Sequence, residues 1–406
     1  MYLYNSFTAS KEPFEIPSAT ERPVTLYVCG VTPYDTTHIG HARTYLVFDV
    51  LIRYLRWRGA EVRYCQNVTD VDDPLFERAK RDGISWQDLA QRELERFVSD
   101  CAALNMIAPT YFPRASEEIA MVIEMTERLV QLEHAYVREG NVYFDIHTDP
   151  NFGAMARMGY EEMLHTANQR GNTPNDTRKR DPLDFVLWQT SNPGEPAWES
   201  PWGMGRPGWH IECSAMATRY LGPQIDIHGG GSDLLFPHHS CEIAQSEPVT
   251  GKHPFSRFWV HVGMVYLDGE KMSKSRGNLV LAYRALQEHS ANALRWYLLQ
   301  VPYREVFSYE QDEVARAEEQ VSRLHEALTT RSGTATPLDI TRAREAFGDA
   351  LGDDLNTPAA LEVLNGTVYE VLRAAAEGRD IKTAQSTLAE LAEVLGLPVT
   401  GNNVAP

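Results

Sequence analysis

Long apolar runs are missing from this 406-residue sequence. None approaches the roughly 18 consecutive apolar residues that a membrane span needs. The opening MYLYNSFTASKEPF lacks the apolar centre of a secretion signal, so the expected compartment is the cytoplasm. Cysteine is scarce and odd in number. Cys29, Cys65, Cys101, Cys213 and Cys241 are widely scattered, which argues against a disulfide framework. Cys65 and Cys101 read as small buried apolar residues, whereas Cys29, Cys213 and Cys241 each lie near histidines. Basic residues are outnumbered, 38 Lys and Arg against 56 Asp and Glu, for a net charge of −18. That balance disfavours diffuse binding to a phosphate backbone but leaves room for a local basic surface. No internal repeat is present.

What is there reads as a chain of two or three domains. VTLYVCGVT is a short β-branched stretch stopped by Pro33, and predicts a buried strand. A helix is predicted from His41 through ARTYLVFDVLIRYLRWRG, closed by Gly59, followed by a strand over AEVRYCQNVTD. The opening is therefore a β–α–β unit, and ligands of such open parallel sheets bind beyond the carboxyl ends of the strands. Residues 85–136 are mainly helical in pattern, and HTANQRGNTPNDTRKRDPLD reads as a loop. A second strand-and-helix portion runs from about 183 to 300. Four helical stretches then follow from YEQDEVARAEEQVSRLHEAL to TAQSTLAELAEVLG, with TTRSGTATPLD as a short linker.

Two clusters carry chemistry. In the first, His38-Ile39-Gly40-His41, the two imidazoles are three residues apart at a helix start, where backbone N–H groups favour anions. Gly40 lets a flat or charged ligand approach the backbone closely. In the second, LDGEKMSKSRGN, Lys271 and Lys274 flank serines in a glycine-bounded loop suited to holding a polyphosphate as charge builds on it. Either alone is compatible with ordinary surface residues. Both together, in this order and about 230 residues apart, make a nucleotide-phosphate transfer site the economical explanation.

This pair of motifs resembles the class I aminoacyl-tRNA synthetases. The Cys29 strand, RPGWHIECSAMA (206–217) and DIHGGGSDLLFPHHSCEIAQSE (226–247) narrow the resemblance to the cysteinyl-tRNA synthetase type, over about residues 1–395. It implies an α/β fold: a Rossmann-like catalytic domain with a parallel sheet over 1–300, carrying a zinc site and a helical insertion at about 85–185. An α-helical bundle would follow over 301–406, with the anticodon-recognition tail absent. It also implies that Cys29, Cys213, His238 and Glu242 hold one Zn2+ per chain. His238 and Glu242, four apart, would share one side of a helix, and two thiolates, an imidazole and a carboxylate are ordinary zinc donors. His239 and Cys241 are taken as structural or pocket-lining neighbours, and Ser240-Cys241 departs from the family's usual Glu-Asn.

The implied reaction begins when the carboxylate of L-cysteine attacks Mg2+-bound ATP, with His38, His41, Lys271 and Lys274 stabilising the phosphate charge. Thr69, Trp209 and Asp233 would surround the bound cysteine, His228 would lie near the pocket floor, and Gly230 would let the backbone approach the adenosine. The activated cysteine would pass to tRNA(Cys), and a monomer is expected. A sister family, the mycothiol cysteine ligases, instead transfers cysteine to the amine of glucosaminyl-inositol. CGVTPYDTTH, TDVDDPLFERAKRDG, TANQRGNTPNDTRKRDPLD and LDGEKMSKSRGNLV are closer to that sister, whereas Arg43, DIHGGG and Glu242 follow the tRNA enzymes. The residues nearest the chemistry decide for tRNA. A catalytically inactive binding protein is disfavoured, since it would need neither both ATP motifs nor all four ligands.

Overall fold

Strand β3 (Val24–Val31) buries Val24, Leu26, Val28 and Val31, the β-branched run that predicted it. It follows a hairpin of β1 (Tyr2–Asn5) and β2 (Ser10–Pro13). Helix α1 (Ile39–Trp57) leads to β4 (Val62–Val68), completing the β–α–β unit. The helix starts two residues earlier than predicted because His38 caps it: the His38 Nδ1 accepts from the amides of Gly40 and His41 at 3.1 and 3.4 Å. The structure, a computed structural model, describes residues 1–35, 37–267, 269–272 and 279–398.

The insertion expected to be helical is mixed. Helices α2 (Asp73–Asp82), α3 (Trp86–Ala103) and α4 (Ile119–Gln131) are followed by β5 (Ala135–Arg138), β6 (Asn141–Phe144), α5 (Tyr160–Asn168), β7 (Phe185–Thr190) and β8 (Gly205–Pro207). The four strands form one antiparallel sheet in chain order. HTAN, read as the start of a loop, closes α5 instead.

The chain returns through α6 (Trp209–Leu221), β9 (Ile225–Gly231), α7 (Ser240–Thr250) and β10 (Ser256–Val262). Strands β10, β9, β3 and β4 make a parallel sheet in that order. Its sequence order reverses between β3 and β9. That reversal opens a crevice at the carboxyl ends of the two strands, where Cys29 and the glycines of β9 lie. Gly229 is needed there, because a Cβ on it would overlap the ring of Phe48 on α1.

Three short strands form a second small sheet: β11 (Val265–Leu267), β12 (Glu270–Lys271) and β13 (Phe307–Tyr309), with α8 (Ala282–Glu288) and α9 (Ala291–Leu298) between β12 and β13. The four tail helices are α10 (Gln311–Thr329), α11 (Thr341–Gly352), α12 (Thr357–Ala376) and α13 (Lys382–Val394). Their buried residues join those of α1 and β3 in one continuous apolar cluster. The guanidinium of Arg295 crosses this junction, bonding Asp49 of α1 and the Leu104 carbonyl. Among the described residues no helix is long and apolar enough to cross a membrane.

Candidate active site and metal-binding cluster

The carboxyl end of β3 delivers Cys29 into a fully buried group of donors. Cys213 comes from the first turns of α6, His238 from the wide turn Leu235–His239, and Glu242 from the first turn of α7. The ligand atoms of these four lie within 4.8 Å of one another. Cys29 Sγ is 3.5 Å from Glu242 Oε1, and His238 Nε2 is 3.2 Å from the same oxygen. A second set, Cys29, His228, His239 and Glu242, satisfies the same criterion. His239 Nε2 is 3.3 Å from Cys29 Sγ, and His228 Nε2 is 3.4 Å from Glu242 Oε1. The structure thus brings together the four expected ligands and adds His228 and His239 to the same nest. Cys241 faces a different apolar cluster.

Electrostatics suit this nest to a cation. Burial pushes the Cys29 thiol and the Glu242 carboxyl well above their ordinary ranges. It holds His238 and His239 well below theirs, and His228 and His261 down to about 3. The imidazoles are therefore neutral, with lone pairs available, while the acids await a positive partner. Glu242 Oε2 and His228 Nδ1 are buried without a hydrogen-bond partner. A divalent ion with borderline-soft preferences fits this donor chemistry and would replace the acids' protons. Outer contacts orient the rings: His210 Nδ1 meets His238 Nδ1 at 2.9 Å, and His261 bridges His239 (2.8 Å) to Ser6 Oγ (2.8 Å).

At the amino end of α1 the rings of His38 and His41 stack, with centroids 3.7 Å apart. A Cβ on Gly40 would come within 2.9 Å of the His38 ring. The turn is braced from outside: the Ile39 amide donates to Val280 O (2.9 Å) and the Ala282 amide to Thr37 O (2.8 Å). The segment just after the Lys-Met-Ser-Lys-Ser motif is thus bonded to the histidine turn. Within that motif Lys271 ends β12, Met272 is buried, and Lys274 lies outside the described residues.

The residues expected around cysteine divide. Trp209 stacks on His238, centroids 4.4 Å apart, and lines a cleft of about 1290 Å³ together with Asp233. His228 belongs to the donor nest and stacks on Trp259. Thr69 is buried, its hydroxyl accepting from Asn67 Nδ2 at 3.0 Å. Gly230 leaves room for Leu234 and the His239 ring, which a Cβ would approach to 2.8 and 3.2 Å. Sequence reading missed His210 and His261. The single histidine beside Trp209 in GWHIEC and the lone histidine in the apolar FWVHV strand were the available signals.

Residues 15–319 match the family described as tRNA synthetases class I (C) catalytic domain, and residues 346–400 match the DALR domain. The chain is 42% identical over 415 residues to a cysteine--tRNA ligase of Dehalococcoides mccartyi, covering all of this chain and 90% of the relative. It is 43% identical over 399 residues to the Escherichia coli cysteine--tRNA ligase, covering 97% and 85%. A third relative is the L-cysteine:1D-myo-inositol 2-amino-2-deoxy-alpha-D-glucopyranoside ligase of Kribbella flavida. It is 46% identical over 359 residues, covering 88% and 87%. The fold is shared with a Mycobacterium tuberculosis methionyl-tRNA synthetase in complex with methionyl-adenylate, at TM-score 0.62 and 18% identity, covering 92% and 89% of the two chains.

Proposed function

The chain belongs to the class I tRNA synthetases of type C, and from that premise we propose that it is a cysteine--tRNA ligase, activating L-cysteine with ATP and transferring it to tRNA(Cys). The observation that carries this reading is the placement of two devices on either side of the β3–α1 junction: the thiol-containing donor nest at the end of β3 and the stacked histidines at the start of α1. In the first step a cysteine carboxylate oxygen bonds to the α-phosphorus of ATP. The α–β bridging bond breaks, and pyrophosphate leaves with that electron pair. His38, His41, Lys271 and Lys274 stabilise the phosphate charge, and Gly40 and Gly230 leave the space that the His38 and His239 rings take beside the nucleotide. A hydroxyl of the tRNA then attacks the activated carbonyl, and AMP leaves.

Cys29, Cys213, His238 and Glu242 would hold one Zn2+, and Mg2+ would accompany ATP. Bound zinc would supply a soft Lewis acid that prefers a substrate sulfur to a serine hydroxyl. Such a preference separates near-isosteres better than an apolar pocket does. Trp209, Asp233, Thr69 and His228 would shape the cysteine site, with Asp233 facing the substrate ammonium. The reading takes 1–300 as the catalytic unit and 301–406 as the helical one, working as a monomer in the cytoplasm. Cysteine-dependent exchange of labelled pyrophosphate into ATP tests it, with serine as control. Exchange with cysteine alone is expected, and equal exchange with serine contradicts it.

A second reading is transfer of cysteine to an amino sugar, as the Kribbella relative's name describes for that protein. One observation favours it: in the cleft beside Trp209, Asp73 and Asp176 are paired with Arg206 and Arg178, which leaves the carboxylates of Asp72, Glu77 and Glu139 to meet an amine.

A further inference from the structure

Arg43 lies on α1 two residues beyond His41, is fully buried, and forms no salt bridge among the described residues. Its guanidinium is spent on main-chain carbonyls from two distant segments. Nη1 donates to Gly263 O (3.0 Å) and Glu305 O (2.8 Å), and Nη2 donates to Pro302 O (3.0 Å). The same group lies 4.9 Å over the ring of Phe307. A buried cation held by carbonyl dipoles and one ring face, with its Nε unpartnered among the described residues, costs desolvation that a core leucine would avoid. What it gains is geometry, since a planar fork fixes several acceptors at once.

Those acceptors are the two feet of the small sheet. Gly263 precedes β11, and Pro302 and Glu305 precede β13, which pairs with β11 in the register Val265↔Phe307. The feet touch: the Gly263 amide donates to Tyr303 O at 2.7 Å, and a Cβ on Gly263 would overlap the Glu305 carbonyl. Strand β11 pairs in turn with β12, where Tyr266 lies opposite Lys271. We propose that Arg43 is a positioning residue that sets the distance between the two ATP motifs, by clamping the base of the sheet carrying Lys271 to the helix that begins at His38-Ile39-Gly40-His41. The inference rests on the adenylate-forming activity proposed above.

The test is single-turnover adenylate formation at saturating ATP and cysteine. It compares the parent chain with Arg43→Lys, which keeps the charge and loses the fork, and with Phe307→Leu, which loosens the stack. Cysteine affinity, bound metal and circular dichroism are followed in parallel. Arg43→Lys is expected to slow the step about a hundredfold, the scale of a misplacement near 1 Å. Phe307→Leu is expected to give a smaller loss of the same kind. In both, cysteine affinity and bound metal should stay within about twofold of the parent, because the donor nest lies on other elements. A parental rate in Arg43→Lys overturns the proposal. So do losses that only track the loss of folded, metal-bound protein, including failure to fold, which would make Arg43 a framework residue. Absence of adenylate formation in the parent would instead defeat the activity on which the inference rests.

Discussion

His210 and His238 face each other through their Nδ1 atoms at 2.9 Å, which turns the His238 Nε2 toward Glu242 Oε1, 3.2 Å away. Two such nitrogens bond only when one carries the proton and the other offers a lone pair. Burial keeps both rings neutral, taking His210 down to about 3. His210 thus aims the ring of a candidate ligand.

Replacing it should therefore weaken metal binding without removing a donor. His210→Phe keeps most of the ring volume and should lower metal affinity by about 10- to 100-fold, the usual effect of losing such an outer contact. Titration against a chelating metal buffer measures this. Unchanged affinity would show that the pair does not orient His238.

Two overlapping donor sets share Cys29 and Glu242, and single substitutions separate them. His238→Asn and Cys213→Ser should leave the purified protein largely without metal, whereas His239→Asn should retain it. Elemental analysis after dialysis against a weak chelator decides. Loss in His239→Asn with retention in His238→Asn would move the ion to the other set.

Asp72 begins α2 by accepting from the Asp73 amide at 3.0 Å, and burial raises its carboxyl to about 6 from an ordinary 3.8. The folded chain therefore holds this proton longer than the unfolded one, so stability from Asp72 falls as pH rises from about 4 to 6 and stays level above. Asp72→Asn keeps the cap and never ionises. It should be no more stable than the parent near pH 4, and more stable by about 1–2 kcal/mol at pH 7.5, since the cleft leaves the group partly solvated. Urea unfolding at both pH values checks this. A difference that does not change with pH would contradict the shift.

Gly229 is fixed by the ring of Phe48. Gly229→Ala should cost about 1–3 kcal/mol or more, the range for overpacking a close-packed core. Phe48→Leu in the same chain should recover part of that loss. Thermal unfolding of the two variants measures the coupling, and strict additivity would mean that the contact does not limit packing.

Much of this arrangement is legible in the residues. The β-branched run before Cys29 and the apolar periodicity of residues 42–57 specify the β–α–β unit, because burial on both faces leaves few alternatives to strand and helix. The sheet in the insertion was hidden because β5 and β6 are only four residues long, too short for alternation to stand out from a helical surround. Cys29, Cys213, His238 and Glu242 could be named from their motifs, yet nothing in HHSCE separates His238 from His239. Their roles depend on how the turn Leu235–His239 meets β3, with Phe236 extended inside it. Arg43 was visible as a motif residue, but its partners are carbonyls some 220 residues and more away, and main-chain acceptors leave no side-chain signature.

The acceptor of the activated cysteine distinguishes a tRNA ligase from an amino-sugar ligase most directly. The purified chain, given ATP and labelled cysteine, would be offered tRNA(Cys) and the glucosaminyl-inositol amine in separate reactions and then together. Cysteine attached to tRNA through a base-labile ester, with no base-stable amide on the amino sugar, is the expected result. Amide formation with uncharged tRNA would contradict it.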